Sequence, residues 1–319
     1  MSPPEDQGKI ALRFEGVSKD FHPAGRWVQA LDQVGFSVRH GRVTGLVGPD
    51  GGGKTTLLRL AAGLLLPASG HIDVLGINVI DQPLLVQQSI GYMPQRFGLY
   101  DDLTVAENIA FYADIYRVPK TVRQTRVPEL LAFSNLDPFQ KRLAANLSGG
   151  MRQKLGLVCA LIHTPRLLIL DEPTFGVDPV SRREFWQILY NLLGTGMTIF
   201  LSTAYMDEAE RAHRVGLMHR GRLLVADTPG AIKATFAGEL LEVRAEDLRG
   251  ARKILSPLPE VRQVLAMGDR LMVTVARKEE ALAPLTAALK DGGIEGVRIV
   301  PAEPALEELF VQIVRREEE

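Results

Sequence analysis

The sequence predicts an α/β fold, a mostly parallel sheet with helices between its strands, followed by a small α+β module. Three observations carry this. Short apolar runs at Val43–Val47, Leu167–Leu170 and Met197–Leu201 have the length and character of buried strands. Segments with helical spacing alternate with them. The 319 residues exceed what one core usually organises, and the composition shifts near Phe236-Ala237-Gly238. Residues 1–238 therefore read as one domain and 239–319 as a second.

Taken in order, residues 10–39 alternate apolar and polar, as in Leu12-Arg13-Phe14-Glu15, which is strand spacing with one covered face. The strand at 43–47 runs into a glycine cluster, and a helix begins near Lys54. Residues 101–165 read mainly as helices, with a break expected at Pro128. A buried strand at 166–170 ends in Asp171-Glu172-Pro173. Another at 197–202 is followed by an acidic helix and a strand around Val215–Met218. Beyond 238 the spacing predicts strand 240–245, helix 247–256, strands 261–266 and 271–276, helix 279–290, strand 297–300 and helix 304–315. That order fits a split-βαβ, ferredoxin-like module. The tail Arg315-Arg316-Glu317-Glu318-Glu319 reads as solvated and linker-like, so the chain is expected to continue past it.

Composition removes several classes of function. Thirty-seven basic against 38 acidic residues leave a net charge of −1, whereas a general nucleic-acid binder carries a positive surplus, so no nucleic-acid partner is expected. The single cysteine, Cys159, excludes a disulfide scaffold and sits in an apolar run that predicts a packed thiol. The longest apolar stretch, Leu57–Leu66, is interrupted by Arg59 and ends at Pro67, too short for a bilayer. The acidic start Met1–Asp6 does not resemble a signal peptide. A cytoplasmic chain is expected, tethered by other subunits if it works at the inner face of a membrane.

Three motifs carry chemistry. Gly48-Pro49-Asp50-Gly51-Gly52-Gly53-Lys54-Thr55 fits the phosphate-loop pattern and lies between a buried strand and a helix, as that pattern requires. Glycines let successive backbone N–H groups turn toward phosphate oxygens, and the helix N-terminus adds unpaired donors. Lys54 would reach the β- and γ-phosphates, Thr55 would hold Mg²⁺, and Thr56 belongs to the same nucleotide-binding turn. Asp171 and Glu172 stand at the C-terminal end of a buried strand, where open α/β sheets bind ligands. Alone the pair could be a capped strand end. Beside a phosphate loop, Asp171 is suited to bind Mg²⁺ through its water shell and Glu172 to deprotonate an attacking water. The third motif is Leu147-Ser148-Gly149-Gly150-Met151, an N-cap serine and two glycines at a helix start. It makes either a second anion site or a plain capped helix.

These motifs, with Gln95 in Tyr92-Met93-Pro94-Gln95 and the turn Gly176-Val177-Asp178-Pro179, resemble in order and spacing the ATP-binding cassette (ABC) ATPases over residues 10 to about 235. The resemblance implies a mixed sheet with a RecA-like core and a helical subdomain over about 96–160. It implies ATP and Mg²⁺ as ligands, with Phe21 stacking on adenine unless it is a core phenylalanine. Gln95 would join Thr55 and Asp171 at the metal and act with Glu172 and Lys54 in hydrolysis. Ser148, Gly149, Gly150 and Asp178 would complete the nucleotide site of a second cassette packed head to tail. The run Gly91–Val105 and the ending Pro304–Phe310 are similar to the ABC-2 export class, which implies transmembrane partner subunits. The Gly48-Pro49-Asp50-Gly51 variant resembles the first cassette of YbhF-type proteins, which carry two on one chain. A stand-alone dimerising subunit is the alternative.

One departure stands out. The family's switch histidine belongs after Leu201-Ser202-Thr203, where this chain has Ala204, and a methyl group neither donates nor accepts a proton. The expectation is an ATPase powering export, slow at its own site. The alternatives are a ribosome-associated or other non-transport ABC ATPase, against which the near-zero charge argues, and a nucleotide-gated switch with little turnover.

Overall fold

The chain divides into two units, Met1–Thr228 and Pro229–Glu319. The structure, a computed structural model, describes residues 9–22, 25, 27–96 and 98–318. The segment Met1–Asp6, Phe97 of the run 91–105 and Glu319 of the tail lie outside the described residues.

The first unit opens with β1 (Ile10–Phe21), β2 (Val28–Arg39), β3 (Val43–Val47) and α1 (Lys54–Ala61). It continues with β4 (Ser69–Val74), β5 (Ile77–Asn78), α2 (Pro83–Ser89) and β6 (Ile90–Met93). The alternating segments pair as an antiparallel sheet of order β2-β1-β4-β5. The apolar segments enter a six-stranded sheet with β7 (Leu167–Asp171), β8 (Thr198–Thr203), β9 (Arg214–His219) and β10 (Arg222–Asp227). Its order is β10-β9-β3-β8-β7-β6, and only β10 runs antiparallel. Strands covered on both faces need no alternation, which is why β3, β7 and β8 are apolar throughout apart from buried threonine and serine and the carboxylate that ends β7. The two sheets share a core in which Phe14 and Phe36 of the first meet Phe200 of the second, ring centroids 5.9–6.4 Å apart. The α1 leucines 57, 58 and 60 are buried in the same cluster.

Parallel register aligns the strand ends. Val47 pairs with Thr203, Ser202 with Asp171 and Leu170 with Met93, so the loops leaving β3, β8, β7 and β6 emerge side by side.

Between β6 and β7 lie α3 (Val105–Ile115), α4 (Lys120–Ser134) and α5 (Gly149–Leu161). Thr104 and Glu107 form a capping box at the start of α3. The break expected at Pro128 does not occur, and α4 continues through it. One proline removes a single N–H donor and crowds one carbonyl, a cost of about 3 kcal/mol. Burial of Leu130 and Leu131 in the following turn is of a size to offset it. Cys159 is buried, and desolvation raises its thiol pKa. After β7 come α6 (Pro179–Gly194) and the four-residue α7 (Met206–Ala209). Strands β4, β5, β6 and β10 and helices α2 and α6 were not anticipated; a two-residue strand such as β5 has no periodicity to read.

The second unit comprises α8 (Pro229–Lys233), β11 (Glu239–Arg244), α9 (Leu248–Leu255), β12 (Val261–Met267), β13 (Arg270–Val275), α10 (Lys278–Asp291), β14 (Arg298–Ala302) and α11 (Leu306–Glu318). Its sheet order, β12-β13-β11-β14 with every pair antiparallel, is the ferredoxin-like arrangement. Leu241, Val273, Leu255 and Leu285 share its core. The charged tail is helical rather than irregular, since α11 extends through it to Glu318, and its Arg315 and Glu317 are exposed.

Asn108 offers a test of the first unit. Fully buried, it donates from Nδ2 to the carbonyls of Tyr100 (3.1 Å), Leu103 (3.2 Å) and Thr104 (3.0 Å) and accepts at Oδ1 from Tyr100 N (2.9 Å). Asn108→Ala leaves these groups without the amide, so thermal or urea unfolding should register a loss of about 2–3 kcal/mol. Hydrogen exchange should show faster opening at residue 100.

Candidate active site

The loop between β3 and α1 is shaped by backbone approaches that only glycine permits. Gly48 has φ 155°, and a Cβ there would run into the carbonyl oxygen of Met218. At Gly53, with φ 100°, a Cβ would stand 2.8 Å from the Ala30 carbonyl oxygen. Residues 50–56 line a cavity of about 430 Å³ together with Val28, Gln29, Ala30, Gln95 and Glu172.

Lys54 is 4% exposed and points back under its own loop. Its Nζ donates to the carbonyls of Gly48 (2.8 Å) and Pro49 (3.1 Å) and lies 3.3 Å from Glu172 Oε1. Glu172, 5% exposed, accepts at Oε2 from Gln95 Nε2 (2.8 Å). Its backbone has φ 47°, a left-handed conformation that costs a non-glycine residue about 1 kcal/mol or more and that aims the carboxylate into the cavity mouth. Next to it, Asp171 Oδ1 accepts from Thr55 Oγ1 (3.1 Å) and Ser202 Oγ (2.7 Å). The buried Oδ2 of Asp171 has no hydrogen-bond partner among the described residues. Burial and the charge of Asp171 push the Tyr92 phenol up to about 12, a sign of the negative field at this strand end.

This donor set suits Mg²⁺. Thr55 hydroxyl, Asp171 carboxylate and the Gln95 carboxamide oxygen are hard ligands, and the orphaned Asp171 Oδ2 is an acceptor fit for a hydrated cation. The structure thus brings together Lys54, Thr55, Gln95, Asp171 and Glu172 from three separate segments. Other candidates stand apart. Phe21 pairs across the β1–β2 ladder with Val28, which lines the cavity, while Lys19 Nζ lies 5.4 Å above its ring. Ser148 caps α5 by accepting from Met151 N (3.3 Å), Gly149 is exposed, and a Cβ at Gly150 would lie 2.7 Å from Ser181. Asp178 caps α6 by accepting from Val180 N and Ser181 N, both 3.0 Å, and hydrogen bonds from Ser181 hold its pKa low. None of these five lines the Lys54 cavity.

Sequence reasoning missed the hydroxyls behind the site. Ser202 also accepts from Glu172 N (2.9 Å). Thr203 donates to Glu208 Oε2 (3.0 Å), which also accepts from Thr174 (2.8 Å), and Thr203 in turn accepts from Tyr205 N (3.0 Å). The signal was a Ser-Thr pair ending an otherwise largely apolar strand. Between Thr203 and Tyr205 the half-buried Ala204 contributes a methyl group.

The ABC transporter family profile matches residues 31–175. The chain is 43% identical over 308 residues to the probable multidrug ABC transporter ATP-binding protein YbhF of Escherichia coli, covering 96% of this chain and 51% of that one. It therefore spans about half the length of that relative. The Nod factor export ATP-binding protein I of Ralstonia nicotianae is 33% identical, with 96% and 94% covered. The daunorubicin resistance ATP-binding protein DrrA3 of Streptomyces coeruleorubidus is 34% identical, with 95% of each covered. Among solved structures, the ATP-binding subunit of an ABC transporter superposes with TM-score 0.63 at 30% identity, covering 71% of this chain and 93% of that one. A dimeric cassette in a post-hydrolysis state bound to ADP and Pi gives 0.63 at 25% identity, with 68% and 98% covered.

Ser202 is the test of the assembly. Ser202→Ala removes one donor to Asp171 and the acceptor for Glu172 N, both buried, so unfolding should show a loss of about 1–3 kcal/mol. Calorimetric affinity for magnesium nucleotide should fall more than affinity for nucleotide in EDTA. An equal fall in both would mean that Ser202 does not orient Asp171.

Proposed function

Because the chain belongs to the ABC transporter ATP-binding family, as near-full-length relatives at 33–34% identity establish, we propose that it binds and hydrolyses ATP to power an export complex of the ABC-2 class. The observation that carries this is the convergence of Lys54, Thr55, Gln95, Asp171 and Glu172 in one buried network at a phosphate loop. The export reading rests on the printed functions of relatives, whose similarity runs through the second unit as well as the first.

In this reading the N–H groups of residues 50–56 receive the phosphates, and Lys54 exchanges a carbonyl or Glu172 for a phosphate oxygen. That exchange releases Glu172 Oε1 to accept a proton from water, while Gln95 keeps Oε2 in place. Mg²⁺, when bound through Thr55, Asp171 and Gln95, neutralises phosphate charge. The α5 start at Ser148–Gly150, with its free N–H groups, faces the nucleotide of a second cassette, on the same longer chain or in trans. Membrane subunits dock on an apolar groove of about 280 Å³ lined by Leu64, Leu84, Ile90, Tyr92, Ile115 and Tyr116. Leu84 is 70% exposed and Ile115 56%, and Tyr92 lies three residues before Gln95, so a partner seated there would bear on the site.

Ala204 makes this site slow. Binding donors are intact, but no side chain at 204 holds the water or the γ-phosphate. In the paired cassette or full complex, Lys54→Ala should abolish binding of labelled ATP at this site. Ala204→His should raise its turnover ~100-fold, the low side of a positioned proton-transfer group. Unchanged ATP binding in Lys54→Ala would defeat the ATPase reading, and unchanged turnover in Ala204→His would defeat the slow-site reading alone.

A further inference from the structure

The parallel sheet carries a second cavity at its opposite end. Where β3 and β9 begin, a cavity of about 490 Å³ is lined by Arg39, Arg42, Thr44, His213, Arg214 and Asp227, among others. Thr44 and Arg214 are register partners on adjacent parallel strands, and Thr44 lies four residues before the phosphate loop begins at Gly48. Nothing assigned to the nucleotide site lies here.

The lining is built, and it is almost entirely donors. Arg214 is fixed by donating to the Ala226 carbonyl (3.1 Å) and Ser37 Oγ (3.4 Å), with its guanidinium 5.9 Å from the Phe36 ring centroid. His213 accepts at Nδ1 from Val43 N (3.2 Å), which puts the ring proton of the neutral imidazole on Nε2 as a further donor. Burial and then the charge of Arg42 lower the His213 pKa, an independent sign of positive potential in the cavity. The one acid of the lining, Asp227, already accepts at Oδ1 from Thr228 N (2.7 Å).

Exposed arginines need no partner, so a solvated cationic face is the rival reading. Elsewhere in this near-neutral chain, however, arginines do find carboxylates: Arg123 with Asp114 (2.6 Å), Arg222 with Asp32 (2.7 Å) and Arg244 with Glu242 (2.7 Å). Arg39 and Arg42 have no ion pair among the described residues. Three guanidiniums around one cavity, facing a single occupied carboxylate, leave a surplus of charge and of forked donors that matches a multiply charged oxyanion.

We infer that this cavity is a second anion site, separate from the phosphate loop, which takes a phosphate-bearing ligand on Arg39, Arg42 and Arg214. The test uses the full 319-residue chain carrying Lys54→Ala, so that the loop lysine is gone, and inorganic pyrophosphate as the probe. Calorimetry should find one saturable site, weakened at least tenfold by adding Arg39→Ala and Arg42→Ala. Those side chains are exposed and unpaired, so the unliganded melting temperature should not move. Cosedimentation with phosphatidylglycerol vesicles that the double substitution abolishes would support the site with a lipid headgroup as its source. Pyrophosphate binding without vesicle binding would support it with a soluble phosphate compound. No pyrophosphate binding in the Lys54→Ala chain, or binding indifferent to the two arginines, overturns the inference.

Discussion

The buried pair of Lys54 and Glu172, 3.3 Å apart and each about 5% exposed, is the interaction on which the first unit depends. Two charges out of water cost several kcal/mol each unless their remaining donors and acceptors are met. Here they are met locally, by the Gly48 and Pro49 carbonyls for the ammonium and by Gln95 for the carboxylate. The pair is therefore stable while the cavity is unfilled, yet every partner of Lys54 is one that a phosphate oxygen can replace. A lysine held this way is ready for an anion without being free to collapse onto the sheet.

The pair in turn depends on register. Lys54 follows β3, Glu172 follows β7, and Ser202 is the penultimate residue of β8, which lies between them. A shift of one residue in either pairing would turn Asp171 away from Thr55 and Ser202 and move Glu172 out of reach of Lys54. Buried apolar strands fix that register, so the core formed by Phe14, Phe36, Phe200 and the α1 leucines determines geometry at the site. The left-handed turn at Glu172 is tolerated because the Ser202 hydroxyl accepts from its N–H.

Much of this was legible in the sequence because it is written in local patterns. The phosphate loop announces itself by glycine spacing, the strands by apolar runs, and the second unit by alternating periods that placed each of its strands and both core helices to within about two residues. Non-local chemistry was not legible. Ser202 and Thr203 matter because β8 lies beside β7, and nothing adjacent in sequence shows that. Val28–Ala30 line the cavity because β2 passes the loop at Gly53, a contact across 23 residues. Pro128 was misread because proline's local penalty is known whereas the burial of Leu130 and Leu131 that offsets it is tertiary. The helix runs further into the tail than its charges suggest for a similar reason: Leu306 and Leu309 upstream are buried and anchor it.

Ala204 sits where these two kinds of constraint separate. Tyr205 after it donates its N–H to the Thr203 hydroxyl before it, Thr203 is tied to Glu208, and Glu208 to Thr174 in the loop after Glu172, so the backbone at 204 is held against the active-site loop whatever side chain it bears. The scaffold for a proton-bearing side chain is thus present without the side chain. In the proposed function, phosphate contacts would come from the β3–α1 loop, whereas alignment of water would need a donor or acceptor just after β8. Under the proposed function, such a chain would keep the free energy of nucleotide binding, and any motion coupled to it, while the chemical step is slow. In a two-site machine such a division lets one site hold the halves together while the other turns over.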